Sequence, residues 1–126
     1  MHITKSIGDI AELKVAAKYI EKGFIVSKPL TDHAPYDLLI DKEGTILRVQ
    51  VKARSISSGT VTVQNFTTSR EYSSNDFDLF AVYCIDTGDI AEIKKEDFTN
   101  TTLSLRVEKT KNNQSLNVKM FSEYTI

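Results

Sequence analysis

The alternation of apolar and polar residues is clearest between residues 37 and 52, where it predicts a β-hairpin. Two apolar-rich runs, residues 37–41 and 46–52, flank a short polar segment. Gly44 lies in that segment and can take the positive φ that tight hairpin turns need. A two-residue loop of Glu43 and Gly44 brings apolar residues opposite apolar residues, pairing Ile40 with Leu47 and Leu38 with Val49.

The same register predicts a cluster of polar side chains on the other face of the hairpin. It places Asp37 directly across from Gln50, and Lys52 follows Gln50 on that face because side chains alternate with a period of two. Cross-strand and same-face spacings bring the three groups within roughly 5–7 Å of one another. We therefore expect a carboxylate, a neutral amide oxygen and an ammonium group to lie together.

A helical pattern precedes the hairpin. Ser6 and Asp9 form a Ser-x-x-Asp start, and Lys22-Gly23 is a plausible stop, which predicts a helix of about four turns. Glu12 falls within the apolar arc of this helix, where an acid needs a partner. That partner is an arginine, a backbone group or the hairpin cluster. The other residues predicted on the apolar arc are Leu13, Val15, Ala16, Tyr19 and Ile20.

The remaining pattern predicts further strands. A short buried strand is expected at residues 24–26, and a continuously apolar run at 78–85 predicts a central strand covered on both faces. An alternating segment at 60–65 is interpreted as a continuation of the sheet, with further strand candidates at 90–93 and 103–107.

Composition limits the classes of protein that fit. The 126 residues, 40% hydrophobic and 26% charged, predict one globular domain over residues 1–126. No apolar stretch approaches the ~18 residues of a membrane helix, so no membrane association is expected. The single Cys84 and the lack of an apolar signal core predict an intracellular, reducing location. Because the net charge is −1, a nucleic-acid-binding face would have to be local.

Glu12 on the helix, the step Pro35-Tyr36-Asp37 and the run Gln50-Val51-Lys52 together resemble the motif of the PD-(D/E)XK nuclease superfamily. Within it, the chain is most similar to the small homing endonucleases of group I introns, with Holliday junction resolvases and restriction enzymes as relatives by fold. The resemblance implies an α/β (α+β), restriction-endonuclease-like fold with a mixed central sheet flanked by helices. Two features depart from the pattern: Tyr36 separates the proline from the aspartate, and Gln50 replaces the usual acid.

The resemblance also implies roles for these residues in a magnesium-dependent DNA endonuclease. Glu12, Asp37, Gln50 and Lys52 would be catalytic, and the Mg²⁺ (or Mn²⁺) ligands would be Asp37, Gln50, the Val51 carbonyl and Glu12. Lys52 would orient water and offset charge on the phosphate. The neutral Gln50 is expected to weaken metal affinity and to favour one ion over two.

Double-stranded DNA is the implied substrate. A chain of this size with one site cuts one strand at a time, so a homo-oligomer, either a dimer or a tetramer, is expected. The candidate nucleic-acid contacts are Arg54, Arg70 and Lys111, the last within the polar segment 109–114.

Alternatives stay open from the sequence. The chain fits a resolvase-like or restriction-type nuclease, or a nuclease-fold DNA-binding module without catalysis, for which Gln50 is the signal. It also fits a structural subunit in which Glu12, Asp37 and Lys52 form only a buried salt-bridge network. Neither the DNA sequence recognised nor the cleavage pattern can be predicted.

Overall fold

The computed structural model of the protein describes residues 3–64, 76–98, 101–108 and 118–126. Within these residues the chain forms one α-helix and seven strands. The elements are α1 (Ile3–Glu21), β1 (Ile25–Ser27), β2 (Leu38–Lys42), β3 (Thr45–Arg54), β4 (Thr60–Gln64), β5 (Leu79–Cys84), β6 (Ile90–Lys94) and β7 (Thr102–Arg106), with 3-10 turns at Lys95–Asp97 and Phe121–Glu123. No helix in the described ranges is long and apolar enough to cross a membrane.

The β2–β3 hairpin has the register that the apolar pattern predicts. Leu38 pairs with Val49, and Lys42 pairs with Thr45 around a two-residue loop. Both loop residues have positive φ, 54° at Glu43 and 87° at Gly44, as the type I′ turns favoured in two-residue hairpins require. Only the glycine adopts this conformation without steric cost, so side-chain matching across the strands holds the register.

The central sheet is mixed, as predicted, with the strand order β1-β2-β3-β5-β6. Strand β5 lies parallel to β3 and antiparallel to β6. Five of its six residues are buried, because both of its faces are covered and both of its edges are paired. This confirms the central strand predicted at residues 78–85.

Two hydrophobic cores lie on opposite faces of this sheet. Helix α1 packs over one face, where Val15 and Tyr19 meet the apolar side chains of β2 and β3. The other face of β5 and β6 is covered by a two-stranded sheet of β4 and β7. The expectation that residues 60–65 continue the main sheet was therefore wrong. Local alternation gives a strand's faces but not the sheet that it joins.

Strand β1 also differs from its prediction as a buried strand. It lies at the edge of the sheet, one residue later than expected, and Ile25 is 69% exposed. Val26 faces the core beneath α1, whereas Ile25 points to the opposite face. Because side chains alternate along a strand, only Val26 of the three residues points to the core, and the apolar composition alone overestimated the burial of this edge strand.

Helix α1 begins at Ile3, three residues before the predicted start at Ser6. No helix breaker separates residues 3–5 from Ser6, so the capping pattern lies inside the helix. The predicted stop is confirmed: Gly23, with φ 93°, donates to the Ile20 carbonyl, and Phe24 N–H donates to the Tyr19 carbonyl at 3.0 Å. These two bonds form a Schellman motif, which the edge-to-face contact of Phe24 with Tyr19 closes.

The face that α1 turns to the sheet differs from the predicted apolar arc. Ala11, Val15 and Tyr19, four residues apart, are 0–1% exposed, whereas Leu13 is 72% and Ile20 is 59% exposed. Leu13 lies two residues, or about 200°, from both Ala11 and Val15, so it points away from the sheet. The prediction that Leu13 and Ile20 are core residues was wrong because the sheet covers only one narrow stripe of the helix.

Candidate active site

Asp37 stands directly before β2 and is fixed to the neighbouring strand β3. Its backbone N–H donates to the Val49 carbonyl at 2.9 Å, and its carboxylate Oδ2 accepts a hydrogen bond from the Val51 N–H at 2.7 Å. The side chain thus takes the place of the backbone carbonyl that a longer β2 would supply. These two hydrogen bonds fix the Asp37 carboxylate beside β3, at the residue that precedes β2.

The residues of β3 beside Asp37 present two kinds of polar group. The N–H and carbonyl of one strand residue point to the same side, so the Val51 carbonyl is directed towards the edge where Asp37 lies. Gln50 and Lys52 project from the face that carries Phe80, and the Lys52 Nζ lies 5.9 Å from the Phe80 ring centroid. The paired residues end at Leu38 with Val49, and the predicted pairing of Asp37 with Gln50 is not among them. Asp37 instead bonds to the backbone of Val49 and Val51, the residues on either side of Gln50.

Glu12 and Asp37 line the same cavity. This cavity has a volume of about 200 Å³ and lies between α1 and the loop that leads into β2. Glu12 Oε1 accepts a hydrogen bond from Lys28 Nζ at 2.7 Å, and the Glu12 side chain is 23% exposed. The observed partner of Glu12 is therefore Lys28, a loop residue on the rim of the cavity. The sequence had suggested an arginine, a backbone group or the hairpin cluster instead.

The electrostatics of the site act most strongly on Asp37. Burial raises the pKa of the Asp37 carboxyl, and the nearby Glu12 carboxylate raises it further. The Val51 N–H, Lys52 and Lys28 act in the opposite direction without reversing the shift. Hydrogen bonding to Glu12 raises the pKa of Lys28. Two acids therefore share a small cavity, in which Lys28 pairs with Glu12 and the Val51 N–H holds Asp37.

The structure brings some of the predicted residues together more closely than others. Glu12 and Asp37 line the cavity, whereas Gln50 and Lys52 lie on the adjoining strand and are not part of its lining. Arg54 is at the end of β3, half-buried, and its guanidinium donates to the Ala53 carbonyl at 2.8 Å. Arg70 and Lys111 lie outside the described residues.

Sequence reasoning missed three charged residues of the cavity. Asp9 and Asp32 line it beside Glu12 and Asp37, and Lys28 pairs with Glu12. Asp9 could have been found, since it precedes Glu12 by three residues and so lies near it on the helix surface. Lys28 and Asp32 belong to a loop without periodicity, so no local signal marks them.

A divalent cation fits the donor set of this site. Asp37, Glu12, the Gln50 amide and the Val51 carbonyl offer hard oxygen ligands of the kind that Mg²⁺ accepts alongside water. A cation would also relieve the repulsion that raises the pKa of Asp37. In the part of the chain that the structure describes, no three Asp, Glu, His or Cys side chains form a metal-binding group. The amide, the carbonyl and water would therefore have to complete the coordination.

Comparison with known proteins places this geometry in a family. A family model described as PD-(D/E)XK endonuclease matches residues 2–126. The chain is 31% identical over 86 residues to Protein 5.3 of Escherichia phage T7, a match that covers 64% of this chain and 70% of the phage protein. The structure of the bacterial homing endonuclease I-Ssp6803I is similar, with a TM-score of 0.77 and 29% identity. That similarity covers 98% of this chain and 89% of the endonuclease chain.

Proposed function

This chain belongs to the PD-(D/E)XK endonuclease family, and from that premise we propose that it is a Mg²⁺-dependent endonuclease that hydrolyses phosphodiester bonds in double-stranded DNA. One observation carries the proposal above the others. The Asp37 carboxylate is held by the Val51 N–H at the opening of a cavity that it shares with Glu12, and its pKa is raised. Perturbed acids in a cleft are typical of catalytic sites.

Four groups would hold the ion: Asp37, Gln50, the Val51 carbonyl and, through a water or a second ion, Glu12. The bound ion would polarise the phosphate and lower the pKa of an attacking water. Asp37 is the group with least freedom, because a strand N–H fixes one of its oxygens and leaves Oδ1 to face other ligands. Gln50 adds an oxygen without a charge, which favours one ion over two.

Lys52 supplies positive charge beside the cavity. It lies two residues after Gln50 on the same face of β3, and it influences the Asp37 carboxyl electrostatically. In this position the ammonium would orient the attacking water and offset the charge that builds up on the phosphate. Glu12 and Lys28, which are paired at 2.7 Å, would fix the far side of the cavity.

We expect homing-type cleavage by a homo-oligomer. I-Ssp6803I is a bacterial homing endonuclease, and the similarity between the two chains covers nearly the whole of this one. Each chain carries one candidate site, so cutting both strands of a duplex needs a second copy, which closed symmetry supplies most simply. Arg54 would contact the phosphate backbone close to the site, and Arg70 and Lys111 are further candidates.

The decisive experiment is cleavage of a plasmid pool with randomised inserts, so that an unknown target sequence does not hide activity. The protein is incubated with the pool and Mg²⁺, Mn²⁺ or EDTA, and the new DNA ends are sequenced. We expect nicked or linear products with either metal and none with EDTA. Asp37→Asn protein, purified in the same way, controls for contaminating nucleases. If the parent cuts no more than this variant, the nuclease proposal fails.

A second candidate is a DNA-binding module without catalysis, favoured by the neutral Gln50 in place of the usual acid. Gln50→Glu separates the two functions. A module that has lost catalysis only through this position would regain cleavage, whereas an active parent would already cut. Gel-shift binding in Ca²⁺ provides the comparison, because the module is expected to bind DNA whether or not it cleaves.

A further inference from the structure

The outward face of helix α1 is apolar, and the described chain leaves it largely exposed. Four residues form this outer stripe, and the three large ones among them are 46%, 72% and 59% exposed. The fourth, an alanine, is exposed too. The outer stripe consists of Ile10, Leu13, Ala17 and Ile20.

The spacing of the outer stripe is that of a coiled-coil seam. Its members follow one another by three, four and three residues, so Ile10 and Ala17 take a positions and Leu13 and Ile20 take d positions of a heptad. The stripe lies opposite Val15 on the core face, so the helix is apolar on two faces. A helix that is apolar on both sides is normally covered on both.

We propose that the outer stripe is the surface through which two copies of this chain associate, with their α1 helices parallel and in register. A heptad seam is complementary to itself, so a second copy is the occupant that its geometry fits without any further requirement.

The charges beside the stripe select the parallel arrangement. Asp9 occupies the g position before Ile10, and Lys14 occupies the next e position. In a parallel pair, g faces the e position that follows it by five residues, so Asp9 would meet Lys14 of the partner subunit twice by symmetry. In an antiparallel pair centred between Leu13 and Ala17, the two copies of Lys14 would lie side by side and repel one another.

The parallel arrangement also has a consequence for the candidate site. Asp9 lines the cavity that contains Glu12 and Asp37. Lys14 of the partner subunit would therefore approach the rim of that cavity, and both cavities would lie towards the same end of the two-fold axis. This surface specifies the oligomer proposed above, and its relevance to cutting rests on the proposed function.

The first test is sedimentation equilibrium of the parent over a hundredfold range of concentration, without DNA or metal. We expect association that Leu13→Lys weakens at least about tenfold, since it buries a charge in an apolar seam. Leu13→Ala should weaken it less. Ile46→Lys makes the same kind of change at an exposed isoleucine of β3, outside the outer stripe, and should leave association unchanged. Circular dichroism checks the fold of each variant.

The second test fixes the orientation by disulfide cross-linking. In a parallel seam the a position faces its own copy, so Ala17→Cys should form a disulfide-linked dimer under mild oxidation, and Lys18→Cys, off the stripe, should not. Cys84 is 1% exposed and should not contribute. Cross-linking only in a mixture of Leu13→Cys with Ala17→Cys would overturn the parallel arrangement.

These readouts are independent of cleavage. A monomeric parent, or one whose association survives Leu13→Lys, overturns the proposed surface even if the protein cuts DNA. A parent that associates through the stripe but cuts no DNA supports the surface and overturns only the nuclease proposal.

Discussion

Two aspartates in this fold use the same backbone device for different ends. Asp37 stands directly before β2 and Asp78 directly before β5, and each accepts a backbone N–H from β3, the strand between them. Both hydrogen bonds measure 2.7 Å, one from Val51 and the other from Arg48. Both carboxylates cap the backbone of β3, although β2 runs antiparallel to that strand and β5 runs parallel to it.

Their surroundings reverse the effect on ionisation. The Asp78 carboxylate also accepts hydrogen bonds from the Arg48 guanidinium, at 3.2 Å through Nε, and these hydrogen bonds hold its pKa below the usual range. Asp37 is more deeply buried and lies near Glu12, and its pKa is raised. The Asp78 carboxylate is paired with the Arg48 guanidinium, whereas among the residues that the structure describes the Asp37 carboxylate has no ion pair of this kind.

The difference between Asp37 and Asp78 shows which kind of strand-end aspartate is suited to hold a metal ion. An aspartate at the start of one strand can cap the backbone of its neighbour. When a cation of the protein also pairs with its carboxylate, as Arg48 does with Asp78, its role is to stabilise the fold. The same aspartate placed between burial and a second acid favours an external cation. We therefore propose that Asp37 belongs to the candidate site, whereas Asp78, paired with Arg48, stabilises the fold.

The largest expected effect comes from removing the charge of each aspartate in turn. Asp37→Asn should lower cleavage by about 10³ or more, since loss of a metal ligand removes several kcal/mol of transition-state stabilisation. Asp78→Asn should retain cleavage but lower the free energy of unfolding by about 1 kcal/mol, because its ion pair is partly exposed. Single-turnover cleavage and urea unfolding measure the two. Equal losses of cleavage would remove the distinction.

Lys52 tests whether the Asp37 end of β3 acts in chemistry rather than in binding. Lys52→Ala should lower cleavage by about 10²–10³, the effect of losing one electrostatic stabiliser, and should leave DNA affinity nearly unchanged. Arg48→Ala, four residues earlier on the same face of the strand, is the matched control and should retain cleavage. Single-turnover rates beside binding in Ca²⁺ give the result, and a Lys52→Ala variant that cuts like the parent would contradict the assignment.

Substitutions of Gln50 test whether its amide oxygen is a ligand of the metal ion at the Asp37 site. Gln50→Leu should cripple cleavage because it removes an oxygen ligand, whereas Gln50→Glu should keep cleavage and shift its dependence to lower Mg²⁺ concentration. The measurement is the cleavage rate as a function of Mg²⁺ concentration. A Gln50→Leu variant with the parent's metal dependence would show that Gln50 is only a spacer.

The salt dependence of DNA binding tests a residue beyond both aspartates. If Arg54 contacts a phosphate, Arg54→Ala should reduce the slope of log affinity against log salt concentration by about one. Binding titrations of the parent and of Arg54→Ala at several salt concentrations provide the slopes. An unchanged slope would exclude Arg54 from the phosphate contacts.

The smallest effect concerns pH and belongs to Asp78. Its lowered pKa means that the unfolded state binds the proton more readily, so this contribution is present above the unfolded pKa and is lost as pH falls through the folded pKa. Because the pair is partly exposed, the loss should be below about 1 kcal/mol. Urea unfolding of the parent and of Asp78→Asn at neutral and acidic pH should show a smaller pH dependence in the variant.

The sequence by itself determined the local parts of this protein. Side-chain matching across Glu43-Gly44 set the hairpin register, from the pair Lys42 and Thr45 to the pair Leu38 and Val49. The glycine after α1 set the end of the helix, and the helical pattern indicated that Glu12 needs a partner, although not that this partner is Lys28. These features depend on residues a few positions apart, whose spacing alone fixes their geometry.

Only the tertiary structure decided which surfaces meet. The parallel pairing of β3 with β5, the separate sheet of β4 and β7, and the outward direction of Leu13 and Ile20 all depend on elements distant in the chain. The contrast between the two aspartates has the same origin, because Arg48 reaches Asp78 across thirty residues and Glu12 reaches the Asp37 cavity from the helix. Periodicity specifies the faces of each element, but burial and charge depend on what packs against those faces.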